Sequence, residues 1–324
     1  MDKNILEQAF SMNENLPNLS ANWQPDVIVL GPGGVKVYLE LGALLKLEVQ
    51  GYLKNINHYI GCSVGAAISL LVVAGCTITE IIKETLKINM FQDVTDIDSI
   101  QEIVEKKGIF NNNQLEKALR RKMIEKFGKD PTFEQLYMAT GIKLTIVSYN
   151  LTKERPEYFS RDSEPNLSCV SAVMMSMIVP ILMQTRTYKE NEYIDGALGN
   201  PYPVDIVDNG ENKILGIYVM TENKNKGTMN FLYRVAHASL NQLRTKILKN
   251  SSDKCKHLAL STAITEGLNL TVNNATKSKL VREGYDTANK FISQLRHPEK
   301  YKVLLEENEE IPFEISMPLI DLNF

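Results

Sequence analysis

The first 24 residues are polar and rich in Asn, and then the pattern changes. Four consecutive apolar positions, Val27-Ile28-Val29-Leu30, run straight into Gly31-Pro32-Gly33-Gly34. An apolar run of that length bounded by turn residues predicts a buried strand entering a loop. From Lys36 to Val49 apolar residues recur at 37, 41, 44, 45 and 47, the spacing of a helix. The β-prone run His58-Tyr59-Ile60 leads into Gly61-Cys62-Ser63-Val64-Gly65, and the apolar, helix-compatible stretch from Ala66 is stopped by Gly75. Helices are predicted over 77–89, 97–106, 112–127 and 132–139, each beginning near a Thr, Asp or Asn able to cap it. Residues 141–152 alternate and are β-branched, which predicts a strand. A short helix over 168–178 ends before Pro180, and a further strand leads into Asp195-Gly196. Strands over 213–220 and 256–264 flank a helix at about 229–249, and a last helix covers about 277–295. Strands alternating with helices predict an α/β layered fold with a mainly parallel central sheet.

Composition narrows the classes. With 324 residues, 44% hydrophobic and 23% charged at a net charge of −3, the chain can bury a sizeable core. That balance, without a basic stripe interleaved with aromatics, argues against a nucleic-acid partner. The mixed cluster Leu119-Arg120-Arg121-Lys122 and its continuation to Asp130 reads as a solvated helix face. The longest apolar runs, Ala66–Cys76 and Ala172–Met183, fall short of the roughly 20 residues a membrane-spanning helix needs, and Ser176 and Pro180 break the second. The first twenty residues lack the apolar core of a signal peptide. Cys62, Cys76, Cys169 and Cys255 form no CxxC pair and sit in mostly apolar settings, which predicts reduced thiols and a cytoplasmic protein. Frequent Asn, Lys and Ile point to an AT-rich genome.

Candidate chemistry centres on Ser63. Strand, tight turn and buried helix are the context a nucleophile elbow requires, and the small residues Gly61 and Gly65 let strand and helix approach closely. Cys62 beside it points away from substrate in such a turn and packs. The loop Gly31 to Lys36 matches neither G-x-x-x-x-G-K-[ST] nor G-x-G-x-x-G. Bare backbone N–H groups at Gly33 and Gly34 suit an oxyanion better, about thirty residues upstream of the elbow. The third element is Asp195, in an Asp-Gly pair that alone would be read as a turn. The four histidines, His58, His237, His257 and His297, sit in no motif-like setting, so a serine activated by a single held base becomes the alternative to a triad.

In that order, the glycine loop with Lys36, the Gly-X-Ser-X-Gly at Ser63, the segment Ser171 to Pro180, and Asp195-Gly196-Ala197 followed by Asn200 and Pro203 resemble the patatin-like phospholipase family. The resemblance runs from about Asp26 to Asp205 and thins after residue 210. It implies a three-layer α/β/α fold and a lipid acyl hydrolase of the phospholipase A or lysophospholipase type. Ser63 would attack the ester carbonyl, Asp195 would serve as its base, and Gly33 and Gly34 would hold the oxyanion. Lys36 matches the family's Lys/Arg and would fix the loop or meet a lipid phosphate. No metal and no cofactor are expected; the acidic residues 93, 96 and 98 precede a helix and are read as capping it. Two positions depart from the family. Pro32 replaces the first glycine of the usual triple and has no N–H, and Val37 stands where a glycine is common.

The resemblance divides the chain into a polar arm over 1–24, a patatin-like catalytic domain over 25–300 and a C-terminal extension over 301–324. The expected partner is a phospholipid or other acyl lipid met in transient, peripheral contact with a membrane surface, with room for a protein activator. The helix at 229–249, with Phe231, Leu232, Val235, Leu243 and Ile247 beside Arg234, Arg244, Lys246 and Lys249, reads either as an interfacial helix or as a face packed on the core. Two other functions stay open. One is an α/β-hydrolase-type esterase or thioesterase using Ser63, Asp195 and His237 or His257; the other is a non-catalytic lipid-binding or interaction protein, which the loss of a donor at Pro32 favours.

Overall fold

The computed structural model describes residues 23–87, 113–179, 183–220, 228–262 and 272–296. The predicted helix over 97–106, the acidic residues 93, 96 and 98, Pro180, the arm up to residue 22 and the extension over 301–324 lie outside the described residues. Eight strands, among those described, form one sheet: β1 (Val27–Leu30), β2 (His58–Cys62), β3 (Lys143–Asn150), β4 (Arg155–Phe159), β5 (Arg186–Tyr188), β6 (Asn191–Asp195), β7 (Ile214–Val219) and β8 (Lys256–Leu260). Their order is β5-β6-β3-β2-β1-β7-β8, with β4 also along β3. The run β3-β2-β1-β7-β8 is parallel, whereas β4, β5 and β6 pair antiparallel.

Helices α1 (Val37–Val49), α2 (Val64–Val73), α3 (Ile78–Lys87), α4 (Asn113–Phe127), α5 (Phe133–Thr140), α6 (Cys169–Ser176), α7 (Thr228–Asn250) and α8 (Asn274–Arg296) complete the described elements. Successive residues of β1 point to opposite faces. Ile28 and Leu30 join the core beneath α1, α2, α6 and α8, while Val27 and Val29 join a second core with Cys62, Tyr202 and, from α7, Leu240 and Ile247. This is the three-layer arrangement.

Local chemistry sets the helix starts. Thr132 and Gln135 form a capping box at α5, and Ser168 caps α6 by accepting the Ser171 N–H. One sequence reading changes, and another is narrowed. Arg120, assigned to a solvated face, instead bonds Glu116, Asp130 and Ser171, because Leu119 and Met123 turn that side of α4 inward. On α7, Arg244 reaches under the helix to donate to the Val219 carbonyl at 3.1 Å and Ile247 packs on the sheet, whereas Leu243 is exposed, so the described half of the stripe is divided between core and solvent. Among the described residues, no helix is long and apolar enough to cross a membrane.

Candidate active site

The chain turns sharply where β2 ends. Ser63 has φ 57° and ψ −128°, a conformation a residue with a side chain keeps only when its surroundings hold it. Gly61 and Gly65 make room for the turn: a Cβ on Gly61 would lie 2.4 Å from the Ala66 Cα, and one on Gly65 would lie 2.6 Å from the Leu30 carbonyl oxygen. The Ser63 N–H donates to the buried Ser176 Oγ at 2.8 Å, which ties the elbow to α6. In the sequence Ser176 stands out only as the polar break in an apolar run.

Asp195 reaches Ser63 through the pairing of β3. Ile146 and Val147 pair with Gly61 and Cys62 of β2 on one edge and with Phe159 and Tyr158 of β4 on the other. One rung on, Ser148 still pairs with β4, through Glu157, but its other edge is taken by Asp195 of β6. β6 runs opposite to β2, so the two strands meet head to head on the same edge of β3. Cys62 and Asp195 occupy consecutive rungs, about 3.3 Å apart along the strand direction. The Ser148 hydroxyl donates to the Ile194 carbonyl at 3.1 Å, and the Asp195 N–H donates to the Ile178 carbonyl at 2.8 Å, so the end of β6 is held at both residues.

The Ser63 hydroxyl donates to Asp195 Oδ2 at 2.6 Å across a sequence separation of 132 residues. Asp195 Oδ1 accepts the Ala197 N–H at 2.9 Å, capping the short 3-10 turn Gly196–Leu198. Both side chains are nearly enclosed, each residue 6% exposed. Burial raises the Asp195 carboxyl to about 6, and its two hydrogen bonds limit the rise. Cys62 is fully buried in the second core, its thiol pushed up by burial and by the charges of Asp195 and Glu40; it packs and is not poised to react.

The glycine loop follows β1, anchored by the Gly31 N–H on the Ile217 carbonyl at 3.0 Å. A 3-10 turn spans Gly34–Lys36, with Gly33 at φ −132° and Gly34 at φ 52°. Neither the Gly33 nor the Gly34 N–H is a donor in the main-chain hydrogen bonds of the described residues. Lys36 ends the turn and is the N-cap residue of α1. Val37 is buried and opens α1.

The two described histidines lie elsewhere. His58 opens β2, at the end of the strand remote from Ser63, and shares a 2.8 Å hydrogen bond with Thr145 Oγ1. Burial and the Lys143 charge lower His58 to about 4, so it is neutral at neutral pH. His257, on the edge strand β8, bonds the Tyr202 hydroxyl through Nδ1 at 2.8 Å, three strands away from β2. The His237 side chain and His297 lie outside the described residues.

A cleft of about 410 Å³ opens beside the elbow. It is lined by Val37, Val64 and Met177, each next in sequence to Lys36, Ser63 or Ser176, by the apolar Ala67, Ile68 and Leu71 of α2, and by the charged Glu84, Arg121 and Lys122. A second cleft, of about 460 Å³, runs along β4 past Lys153 and Lys189; neither cleft is lined by Ser63 or Asp195 themselves, and the first alone is lined by a neighbour in sequence of Ser63, Val64.

Comparison with known proteins agrees with this architecture. Residues 28–208 match the family model for patatin-like phospholipase. The chain is 28% identical over 189 residues to the probable lipid hydrolase 463L of Invertebrate iridescent virus 6, covering 57% of this chain and 64% of that protein, less than two thirds of its length. It is also 28% identical over 255 residues to the uncharacterized protein R571 of Acanthamoeba polyphaga mimivirus, covering 75% of this chain and 84% of that one. Among solved structures, VipD from Legionella pneumophila shares the fold with a TM-score of 0.52 at 18% identity, over 84% of this chain and 67% of VipD.

Proposed function

The chain belongs to the patatin-like phospholipase family, and we propose that it hydrolyses fatty-acyl esters of lipids through a Ser63–Asp195 dyad. The observation that carries this reading is the 2.6 Å hydrogen bond from the Ser63 hydroxyl to Asp195 Oδ2. Ser63 Oγ attacks the ester carbonyl carbon as its proton passes to Asp195. Collapse of the tetrahedral intermediate breaks the bond to the alcohol, which leaves with that proton, and an acyl-Ser63 ester remains. Asp195 then takes a proton from water, the resulting hydroxide attacks the acyl carbon, and Ser63 Oγ regains the proton as the fatty acid departs. A carboxyl raised to about 6 suits both halves, being ionised at neutral pH and still basic enough to accept a proton.

Gly33 and Gly34 are the amides assigned to the oxyanion, with their N–H groups uncommitted to other main-chain acceptors among the described residues. Pro32 supplies none. The acyl chain lies in the cleft that starts at Val64, whose apolar wall and size fall within the range of about 300–1,000 Å³ usual for ligand sites. Lys36, at the turn after these amides, fixes the loop or meets the lipid phosphate, and substrate is drawn from a membrane surface in transient contact. Ser63→Ala is expected to abolish both ester turnover and covalent labelling by a fluorophosphonate while leaving thermal unfolding unchanged. Turnover by a folded Ser63→Ala variant would sink the dyad; a wild-type chain that neither labels nor turns over would favour a binding protein on the same scaffold.

A further inference from the structure

α1 is buried from Val37 to Leu47, and its first turn carries Glu40, which is 0% exposed. Neither carboxyl oxygen has a hydrogen-bond partner among the described residues. A buried carboxyl in that state weakens the fold, and an apolar side chain of similar length would not. Its position is specific. Oε1 lies 3.2 Å, and the carboxyl carbon 3.5 Å, from the point a Cβ on Gly33 would occupy, while Val219 closes the same space from β7 at 3.4 Å. The carboxyl therefore stands on the side of Gly33 where any other residue would carry its side chain.

We infer that Glu40 is a positioning residue that braces Gly33 from within the fold and thereby sets where the Gly33 and Gly34 amides point. The inference rests on the dyad reading and on those amides serving the oxyanion. With Pro32 unable to donate, the direction of the remaining amides carries more of the transition-state stabilisation. Burial raises the Glu40 carboxyl well above the usual carboxylate range, which favours its neutral form. A neutral acid offers one donor and one acceptor to the loop, whereas a carboxylate would draw the loop amides inward. Only in its ionised form would Glu40 act on the Cys62 thiol of β2; on α8, Lys277 lies over the Tyr38 ring.

Glu40→Met and Glu40→Gln test this in the full chain, with a p-nitrophenyl acyl ester as probe. The methionine variant keeps the length of the side chain but has no polar tip; it is expected to melt at or above the wild-type temperature while kcat falls about tenfold or more and KM stays within about twofold. Glutamine, with a donor and an acceptor in one neutral group, is expected to keep kcat within about threefold. A methionine variant with wild-type kcat would overturn the inference, as would a glutamine variant as slow as the methionine one. If Glu40→Met does not fold, Glu40→Ala gives the same reading: kcat lost with KM held. Ser63→Ala is the control, since turnover there counts against the dyad, whereas an unchanged kcat in Glu40→Met beside a dead Ser63→Ala counts against Glu40 alone.

Discussion

Replacing Asp195 by Asn separates what this residue does for chemistry from what it does to stability. Its carboxyl is raised from the ordinary value of 3.8 to about 6. The native state therefore holds the proton to higher pH than the unfolded chain. Between about pH 4 and pH 6 the unfolded state releases a proton that the native state keeps, so stability falls as pH rises through that window. At about 1.4 kcal/mol per pH unit, the loss is complete above pH 6 at about 3 kcal/mol. Asn cannot ionise, its Oδ1 can keep the Ala197 N–H, and its amide can donate to Ser63 Oγ, so Asp195→Asn is expected to be the more stable protein at pH 8 by up to about 3 kcal/mol. The gap should close below pH 4. Urea unfolding followed by the fluorescence of Trp23, the single tryptophan, which packs against the core, measures both curves. In parallel, wild-type kcat/KM should fall about tenfold per pH unit below pH 6, and Asp195→Asn should be inactive. A stability difference that does not change between pH 4 and pH 8, or an active Asn variant, would refute the assignment of a buried, ionised base.

Two further outcomes are expected. The double variant His237→Gln, His257→Gln should keep kcat within about tenfold of wild type; a folded variant slowed about a thousandfold would require a histidine base. Leu71→Trp, placed in the wall of the cleft beside α2, should shift the preferred chain length of a p-nitrophenyl ester series toward short acyl groups without slowing the acetyl ester, and an unchanged profile would move the acyl chain elsewhere.

The parallel strands are legible in the sequence because each is a short apolar run, and the elbow is legible because Gly61, Ser63 and Gly65 sit between a strand and a helix. The antiparallel additions β4 and β5 are not. Arg155–Phe159 contains Pro156 and two charged residues, and Arg186–Tyr188 has only three residues, so neither carries the alternation that marks a strand. The meeting of Ser63 with Asp195 depends on which edge of β3 receives β6, and no local pattern encodes that. Arg120 reads wrongly from sequence because a charge run looks solvated until tertiary partners such as Asp130 are known. Glu40 is hidden for the opposite reason: in a helix enclosed on every side, an apolar period no longer tells the inward positions from the outward ones.

The head-to-head meeting of β2 and β6 makes the site a mechanical seam. On one side lies the parallel block β2-β1-β7-β8, bearing Ser63; on the other lies the antiparallel flap β5-β6, bearing Asp195. No ladder of main-chain bonds stitches β2 to β6, because both strands end at the junction and the neighbour they share is β3. The Ser63–Asp195 hydrogen bond thus crosses the junction from side chain to side chain, with β3 as the main-chain link between the two strands. A slip of about 1 Å there takes a hydrogen bond beyond its working range, and misplacement of that size can cost about a hundredfold in rate. On the proposed dyad, the placement of the flap β5-β6 sets the reach between base and nucleophile without any main-chain pairing to the serine's own strand.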